Sequence, residues 1–418
     1  MFCRRILLFL LITASLLYPQ KQLNSGYSFL EEATVYIPRT IAFSGAETGK
    51  FIGSPSIAIL PNGNYVASHD LFGPNTDPTN PSTFIYRSED KGNTWELLTE
   101  LKGQGWSTLF YHNGALYLMG TSGFERGSII IRRSDDSGKL WTEPRFSDSG
   151  LLMKAENRGY HTAPVPVVVY NGRIWRAYED MDGKGDWPEW FRAFVMSAPV
   201  NSDLLQATNW TMTPPISFDE KFFDFRTTNA PGWLEGNLVV TPKGKLVNIL
   251  RTYSVPRFDI AAVMDVNEDG GSVSFDKDKG FIDFPGGLSK FTIRYDKTSK
   301  SYYSIVNLIT NPQTSISEND WDNSVYHQRN VLALTSSKDL KKWTVNYTIL
   351  ETNRGAALNR QNKTGYQYVD WQFDGNDIIA VCRTAMNGAD TYHNANYLTF
   401  HRLQNFRKLN TKTPPQQF

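Results

Sequence analysis

The chain has 418 residues, a formal net charge of +1 and 20% charged residues. That balance supplies no field able to hold nucleic acid or an acidic membrane by electrostatics alone. Two or three average domains would fill this length, but a single β-propeller or barrel reaches the same size, so pattern must decide.

Residues 1 to 18, MFCRRILLFLLITASLLY, set Arg4 and Arg5 ahead of an apolar run too short for a stable span, the layout of a secretory signal peptide reaching to about residue 20. The expectation is a periplasmic or secreted monomer with no stable membrane anchor. Cys3 precedes the apolar run, where a lipidation cysteine would not lie, and Cys382 is then the one thiol left after cleavage. With no internal disulfide available, the domain must rest on its own core.

Further along, EEATVYIP (31 to 38) is a strand candidate without a neighbour. Six hairpin signatures follow it: SIAILPNGNYVAS, LFYHNGALYLMG, VVVYNGRIWRAY, LVVTPKGKLVNIL, FTIRYDKTSKSYYSIV and WQFDGNDIIAVCR. Each joins two alternating runs through a polar turn, mostly one bearing glycine. Behind most of them comes a further strand, turn and strand, so that four strands recur about every 60 residues with no helical period. This predicts an all-β propeller of six four-stranded blades over residues 28 to 408, with a tail over 409 to 418. The last repeat lacks an outer strand, and 31 to 38 is expected to supply it and so remove two exposed edges.

RSEDKGNTW (87 to 95) and RRSDDSGKLW (132 to 141) fit the Ser-x-Asp-x-Gly-x-x-Trp Asp box, and SSKDLKKW (336 to 343) is a degraded third. The aspartate is expected to accept backbone N–H groups and the tryptophan to pack on a neighbouring blade, a structural role.

In an up-and-down blade the first and third turns share one face, and the second turn and the blade-to-blade link share the other. His69, His161, His327 and His393 all fall in connections of the second kind. The same face gathers Asp70, Arg126, Arg158, Tyr160, Arg176, Tyr178, Arg251, Tyr253, Arg257, Arg329, Arg383, Tyr392 and Asn394. Arginines that bind carboxylate or sulfate, beside rings that cover pyranose faces, predict an anionic oligosaccharide as partner, with uronic acids well suited. No zinc-binding His-Glu-x-x-His, phosphate-cradling glycine loop or Gly-x-Ser-x-Gly elbow occurs, so no cofactor or metal is predicted. For hydrolysis by paired carboxylates, Glu179, Asp180 and Glu235 are the candidates.

The Asp boxes, together with SHDLFGP (68 to 74), GYHTAPVPVVVYNGRIWRAYED (159 to 180), FPGGLSKFTIRYD (284 to 296), GYQYVDWQFDG (365 to 375) and HNANYLTFHR (393 to 402), resemble the sialidase-like propellers of Bacteroidota that process uronate glycans. That group includes ulvan lyases, rhamnose–glucuronate lyases and α-L-rhamnosidases, and its propellers are described with seven blades. YIPRT (36 to 40) holds the elements of the sialidase Phe/Tyr-Arg-Ile-Pro motif in the wrong order, which argues against sialidase. The resemblance implies β-elimination at a uronate, by a lyase or by a dehydratase acting on a terminal residue. His161 would be the base, Tyr160 or Tyr253 the acid, and Arg176 with Arg251 the carboxylate clamp. His69, Asp70, Arg158, Tyr178, Arg257, Arg383, His393 and Asn394 would contact the sugar. The other readings are an exo-α-L-rhamnosidase and a glycan-binding propeller without catalysis.

Overall fold

The computed structural model describes residues 39–227, 230–312, 325–352 and 363–412. The leader, EEATVYIP and the end of the C-terminal tail lie outside the described residues. Among those residues there is no α-helix, only strands and short 3-10 turns.

Six sheets form in chain order, one from each predicted hairpin and the strands behind it. Blade 1 is built on Ser56–Ile59, Tyr65–Phe72, Ser82–Ser88 and Glu96–Lys102, with Phe51–Ile52 extending its first strand. Blade 2 runs from Gly105–His112 to Leu151–Met153, blade 3 from Tyr160–His161 to Ile216–Ser217, and blade 4 from Gly232–Val240 to Phe281–Asp283. Blade 5 spans Thr292–Asp296 to Trp343–Glu351. Blade 6 begins with Gly365–Asp374, Asp377–Ala385 and Tyr397–Leu403, and its fourth strand is Arg39–Phe43, antiparallel with Arg39 opposite Phe400. The ring is therefore closed by an N-terminal strand, as expected, but by the residues directly after 31 to 38. Among the described residues the count is six blades, not seven.

Alternation along the strands puts one row of side chains against each neighbouring blade. Trp175 and Ala177 meet Leu238 and Leu246 of blade 4, while Ile174 and Tyr178 meet Tyr117 and Met119 of blade 2. The Asp boxes act as latches on the face opposite the predicted site. Asp90 accepts Thr94 N–H at 2.8 Å and Asp136 accepts Leu140 N–H at 2.9 Å. Trp95 then packs on Phe400 of blade 6 and Trp343 on Phe284 of blade 4.

The blades are not equivalent. In blades 2, 4 and 6 the first strand is bulged between Gly105 and Thr108, Leu234 and Asn237, and Gln367 and Asp370. At each bulge a non-glycine residue takes positive φ: Trp106 at 47°, Glu235 at 59° and Tyr368 at 56°. An extra residue in one strand re-aims a side chain, and such backbone strain persists only where neighbours over-determine it. The neighbours here come from the blade before. Trp106 N–H donates to Asp70 at 2.6 Å, Gly236 N–H to Glu179 at 3.3 Å, and the Asn307 amide to the Tyr366 carbonyl at 2.5 Å. Two residues past each strained position, the strand is tied to the blade after: Thr108 donates to Val165 C=O, Asn237 accepts Ile293 N–H and Asp370 accepts Ile57 N–H, at 3.1, 3.0 and 3.0 Å. The ring is thus three two-blade units, each delivering one strained side chain at its inner wall.

Candidate active site

Two of the three strained residues meet. The Tyr368 hydroxyl donates to Glu235 Oε1 at 2.8 Å, joining blade 6 to blade 4 across blade 5. Arg251, at the end of the strand beside Glu235, donates from Nη1 to Glu235 Oε2 at 2.9 Å and from Nε to the Leu288 carbonyl at 2.8 Å. Both members of this ion pair are nearly sealed, with side chains 1% and 6% exposed. Burial pushes the Glu235 carboxyl up, but Arg251, with His161 and the Tyr368 hydroxyl behind it, outweighs that and holds it below the usual carboxylate range. Burial, then the Glu235 charge, raises Tyr368 to about 12. A neutral phenol therefore faces an ionised carboxylate.

Two more guanidinium groups crowd the pair. Arg383 lies over the Tyr368 ring, 5.1 Å from its centroid, and over Phe72 at 4.4 Å. One of its Nη atoms donates to the His393 carbonyl at 2.6 Å, and its buried Nε has no partner among the described residues. Arg329, in the loop before the third strand of blade 5, is 7% exposed, and Nη1 donates to the Gln328 carbonyl at 3.3 Å. Burial, then the repulsion of Arg251, lowers Arg329 to about 10. Of these three buried guanidinium groups only Arg251 has a carboxylate in contact among the described residues, with Asp70 acting on Arg383 from farther off. An anion entering this cluster would relieve both the desolvation and the like-charge repulsion. Tyr253 closes a side of it, stacked on Tyr326 with ring centroids 3.9 Å apart.

The third strained residue, Trp106, sets its ring edge-on to His161 at 4.5 Å, and Phe191 flanks the imidazole at 4.6 Å. His161 Nδ1 is held by Glu179 Oε2 at 3.0 Å. Its Nε2 has no protein partner among the described residues, and the side chain remains 11% exposed. Glu179 is fully buried, and burial, only partly offset by His161, raises its carboxyl. Glu179 Oε1 also accepts the N–H of Gly236, the residue after Glu235, which sets the two pairs side by side.

The predicted residues divide by the geometry of alternation. His161, Arg251, Arg383 and Tyr253 come together with Arg329. His393 belongs beside them, its ring edge-on to Phe72 at 5.3 Å and its carbonyl accepting from Arg383. Arg176 does not reach the opening: it is fully buried between blades 2 and 3, over the Tyr178 ring at 5.0 Å, and donates to the Ala163 carbonyl. Tyr178 is sealed in the same layer against Phe194. Both point sideways along the sheet normal, so a strand end on the right face did not deliver the side chain to the channel. Tyr160 likewise leans on Phe194 from the neighbouring layer. His69 is stacked between Phe84 and Tyr86 within blade 1 and held by the Asp70 carbonyl. Asp70 faces the inner wall, where its oxygens accept Ser54 and Trp106 N–H groups, each at 2.6 Å; burial nonetheless raises its carboxyl to about 6. It anchors the bulge under Trp106. Arg158 lies over Trp190, Arg257 over Phe225 and near Asp283, and Asn394 bonds within its own loop to Asp390; these three stay at the rim. Asp180 is taken up by a bidentate contact to Arg192. Tyr368 was not among the predicted residues. The signal for it was the broken alternation of GYQYVDW, where the three steps from Gln367 to Asp370 face only two on the partner strand, Arg383 to Val381.

No protein-family model matches the chain, and comparison with curated proteins finds none similar to it. Solved structures share its architecture at low identity. The Hadza microbial sialidase Hz136 superposes with a TM-score of 0.57 at 12% identity, over 88% of this chain and 68% of that one. The α-L-arabinofuranosidase Arb93A of Fusarium graminearum, as a point mutant in complex with an iminosugar inhibitor, gives 0.56 at 10%, over 90% and 98%. The α-L-arabinanase of Penicillium chrysogenum bound to arabinobiose gives 0.52 at 14%, over 90% and 99%. These likenesses establish a sialidase-like β-propeller fold.

Proposed function

We propose that the protein is a glycoside hydrolase that removes an acidic sugar from the end of a glycan. The observation that carries this is the 2.8 Å hydrogen bond from Tyr368 to Glu235 amid Arg251, Arg329 and Arg383. A hydroxyl held on an ionised carboxylate is an activated nucleophile. For an anionic sugar a neutral phenol avoids the repulsion a carboxylate nucleophile would meet, and tyrosine nucleophiles are an established variant of retaining hydrolysis. Tyr368 Oη attacks the anomeric carbon as its proton passes to Glu235, and the glycosidic oxygen leaves with a proton from the His161–Glu179 pair. Water, deprotonated by that pair, then displaces Tyr368, which recovers its proton from Glu235. The arginines hold the sugar's carboxylate throughout. That structural neighbours include a sialidase and an α-L-arabinofuranosidase supports hydrolysis of glycosidic bonds as the reaction class.

The second reading, β-elimination from a uronate, draws on the same arginines to neutralise the carboxylate, with His161 taking the C5 proton. The His161–Glu179 pair favours it, but it gives the Tyr368–Glu235 contact no part. The test is a panel of aryl glycosides of glucuronic, galacturonic and sialic acids, with the arabinoside and rhamnoside as neutral controls, plus uronate oligosaccharides. Release of an acidic monosaccharide with retained anomeric configuration is expected. An unsaturated uronate chromophore would replace hydrolysis by elimination, turnover of the neutral controls alone would remove the anion clamp, and binding without turnover would remove catalysis.

A further inference from the structure

Beneath the Tyr368–Glu235 contact lies a charged side chain that the proposed reaction does not use. Lys290 precedes the first strand of blade 5 and is 3% exposed. Its ammonium donates to the Val369 carbonyl and to Thr292 Oγ1, each at 2.7 Å, and Thr292 Oγ1 donates to the same carbonyl at 3.1 Å. Val369 directly follows Tyr368, within the bulge that gives Tyr368 its φ of 56°. The groups facing the ammonium are the Asp370 and Glu235 carboxylates, the Arg294 guanidinium and the Cys382 thiol. It makes no direct ion pair with either carboxylate. A buried lysine without a salt bridge is costly, and an apolar residue of similar volume would often be neutral or better for stability. What the charge does hold is the carbonyl at the back of the strained turn, from the one blade that the Tyr368–Glu235 contact passes over.

We propose that Lys290 is a positioning residue. Through the Val369 carbonyl it fixes the blade 6 bulge so that the Tyr368 hydroxyl meets Glu235. The inference rests on the hydrolytic reading above but concerns residues that touch no substrate.

The test compares wild type with Lys290→Met and Thr292→Val on whichever aryl glycoside the wild type turns over. Misplacing the nucleophile by about 1 Å is worth about 10²-fold in rate. For Lys290→Met a kcat loss of this order is expected, with KM changed less than about threefold because the arginine cluster is untouched. Thr292→Val, which removes one of the two donors, should give a smaller loss of the same kind. Two further readouts separate positioning from mere support. The melting temperature of Lys290→Met should stay level or rise. The acidic limb of its kcat profile should move to higher pH, since a displaced Tyr368 hydroxyl no longer helps hold Glu235 ionised. Full kcat in Lys290→Met, or a kcat loss accompanied by a fall in melting temperature with an unmoved pH profile, would overturn the inference. Absence of turnover by the wild type on every glycoside would instead overturn the hydrolytic reading.

Discussion

Replacing Glu235 by glutamine tests the charge balance on which the site depends. The substitution keeps the shape and an oxygen to accept from Tyr368. It removes the only carboxylate, among the described residues, in direct contact with Arg251, at 2.9 Å with both groups almost fully buried. Arg251, Arg329 and Arg383 are then left together. Losing one partner of a buried pair costs about 3–5 kcal/mol, and the retained amide places the expected loss near the lower figure, about 3 kcal/mol. With an unfolding entropy of about 2.1 cal/mol/K per residue, a folded body of roughly 380 residues should melt about 4 °C lower. Scanning calorimetry at neutral pH and low salt reads this directly. Added carboxylate or sulfate should restore the loss, because an anion bound by the folded state alone stabilises it by RT ln(1 + [L]/Kd). The anion-dependent rise in melting temperature should therefore be larger in Glu235→Gln than in wild type. A variant that melts with the wild type and gains nothing from anions would refute the view of the arginine cluster as an under-neutralised anion site.

Two further outcomes follow from particular contacts. Tyr368→Phe removes the hydroxyl while keeping the ring under Arg383. It should lower kcat by at least about 10²-fold with unchanged binding of a substrate-like carboxylate, and the melting temperature should fall by no more than a few degrees, the buried carboxylate having lost one donor worth about 1–3 kcal/mol. Away from the site, Asp296 is held by Arg407 through two bonds of 2.7 and 2.8 Å, which push its carboxyl well below the usual range. A depressed folded-state pKa contributes stability above the unfolded value of about 4, and the contribution is lost as the carboxyl protonates below that. Arg407→Ala should therefore be destabilised at pH 7, with its gap to wild type narrowing below about pH 4 in acid denaturation followed by circular dichroism.

How much of this was legible in the sequence depends on which physical constraint each feature obeys. Blade number and ring closure follow from alternation and turns, both local, so the six hairpins and the Asp boxes Ser88–Trp95 and Ser134–Trp141 could be read directly. Which face a loop occupies follows from topology alone, which is why Arg251, Arg383, His161 and His393 could be expected on one side of the ring. Whether a residue at that face looks into the channel or sideways into the next blade depends on a one-residue step in register. Arg176 and Tyr178 fell on the wrong side of that step, and the apolar neighbours Ile174 and Trp175, which pack in opposite directions, were the clue to it. Tyr368 and Glu235 escape alternation altogether. They sit on bulges with positive φ in residues that are not glycine, stabilised by carboxylates and amides distant in sequence: Glu179 lies 57 residues from Gly236. Such a conformation is written in no local propensity. Yet the bulges have a common logic, since the anchoring residue always ends the second strand of the odd blade and the strained one opens the even blade that follows. Substituting the anchors Asp70, Glu179 or Asn307 should therefore disturb Trp106, Glu235 or Tyr368 respectively, so the chemistry of the channel is governed by pairs of blades and not by single ones.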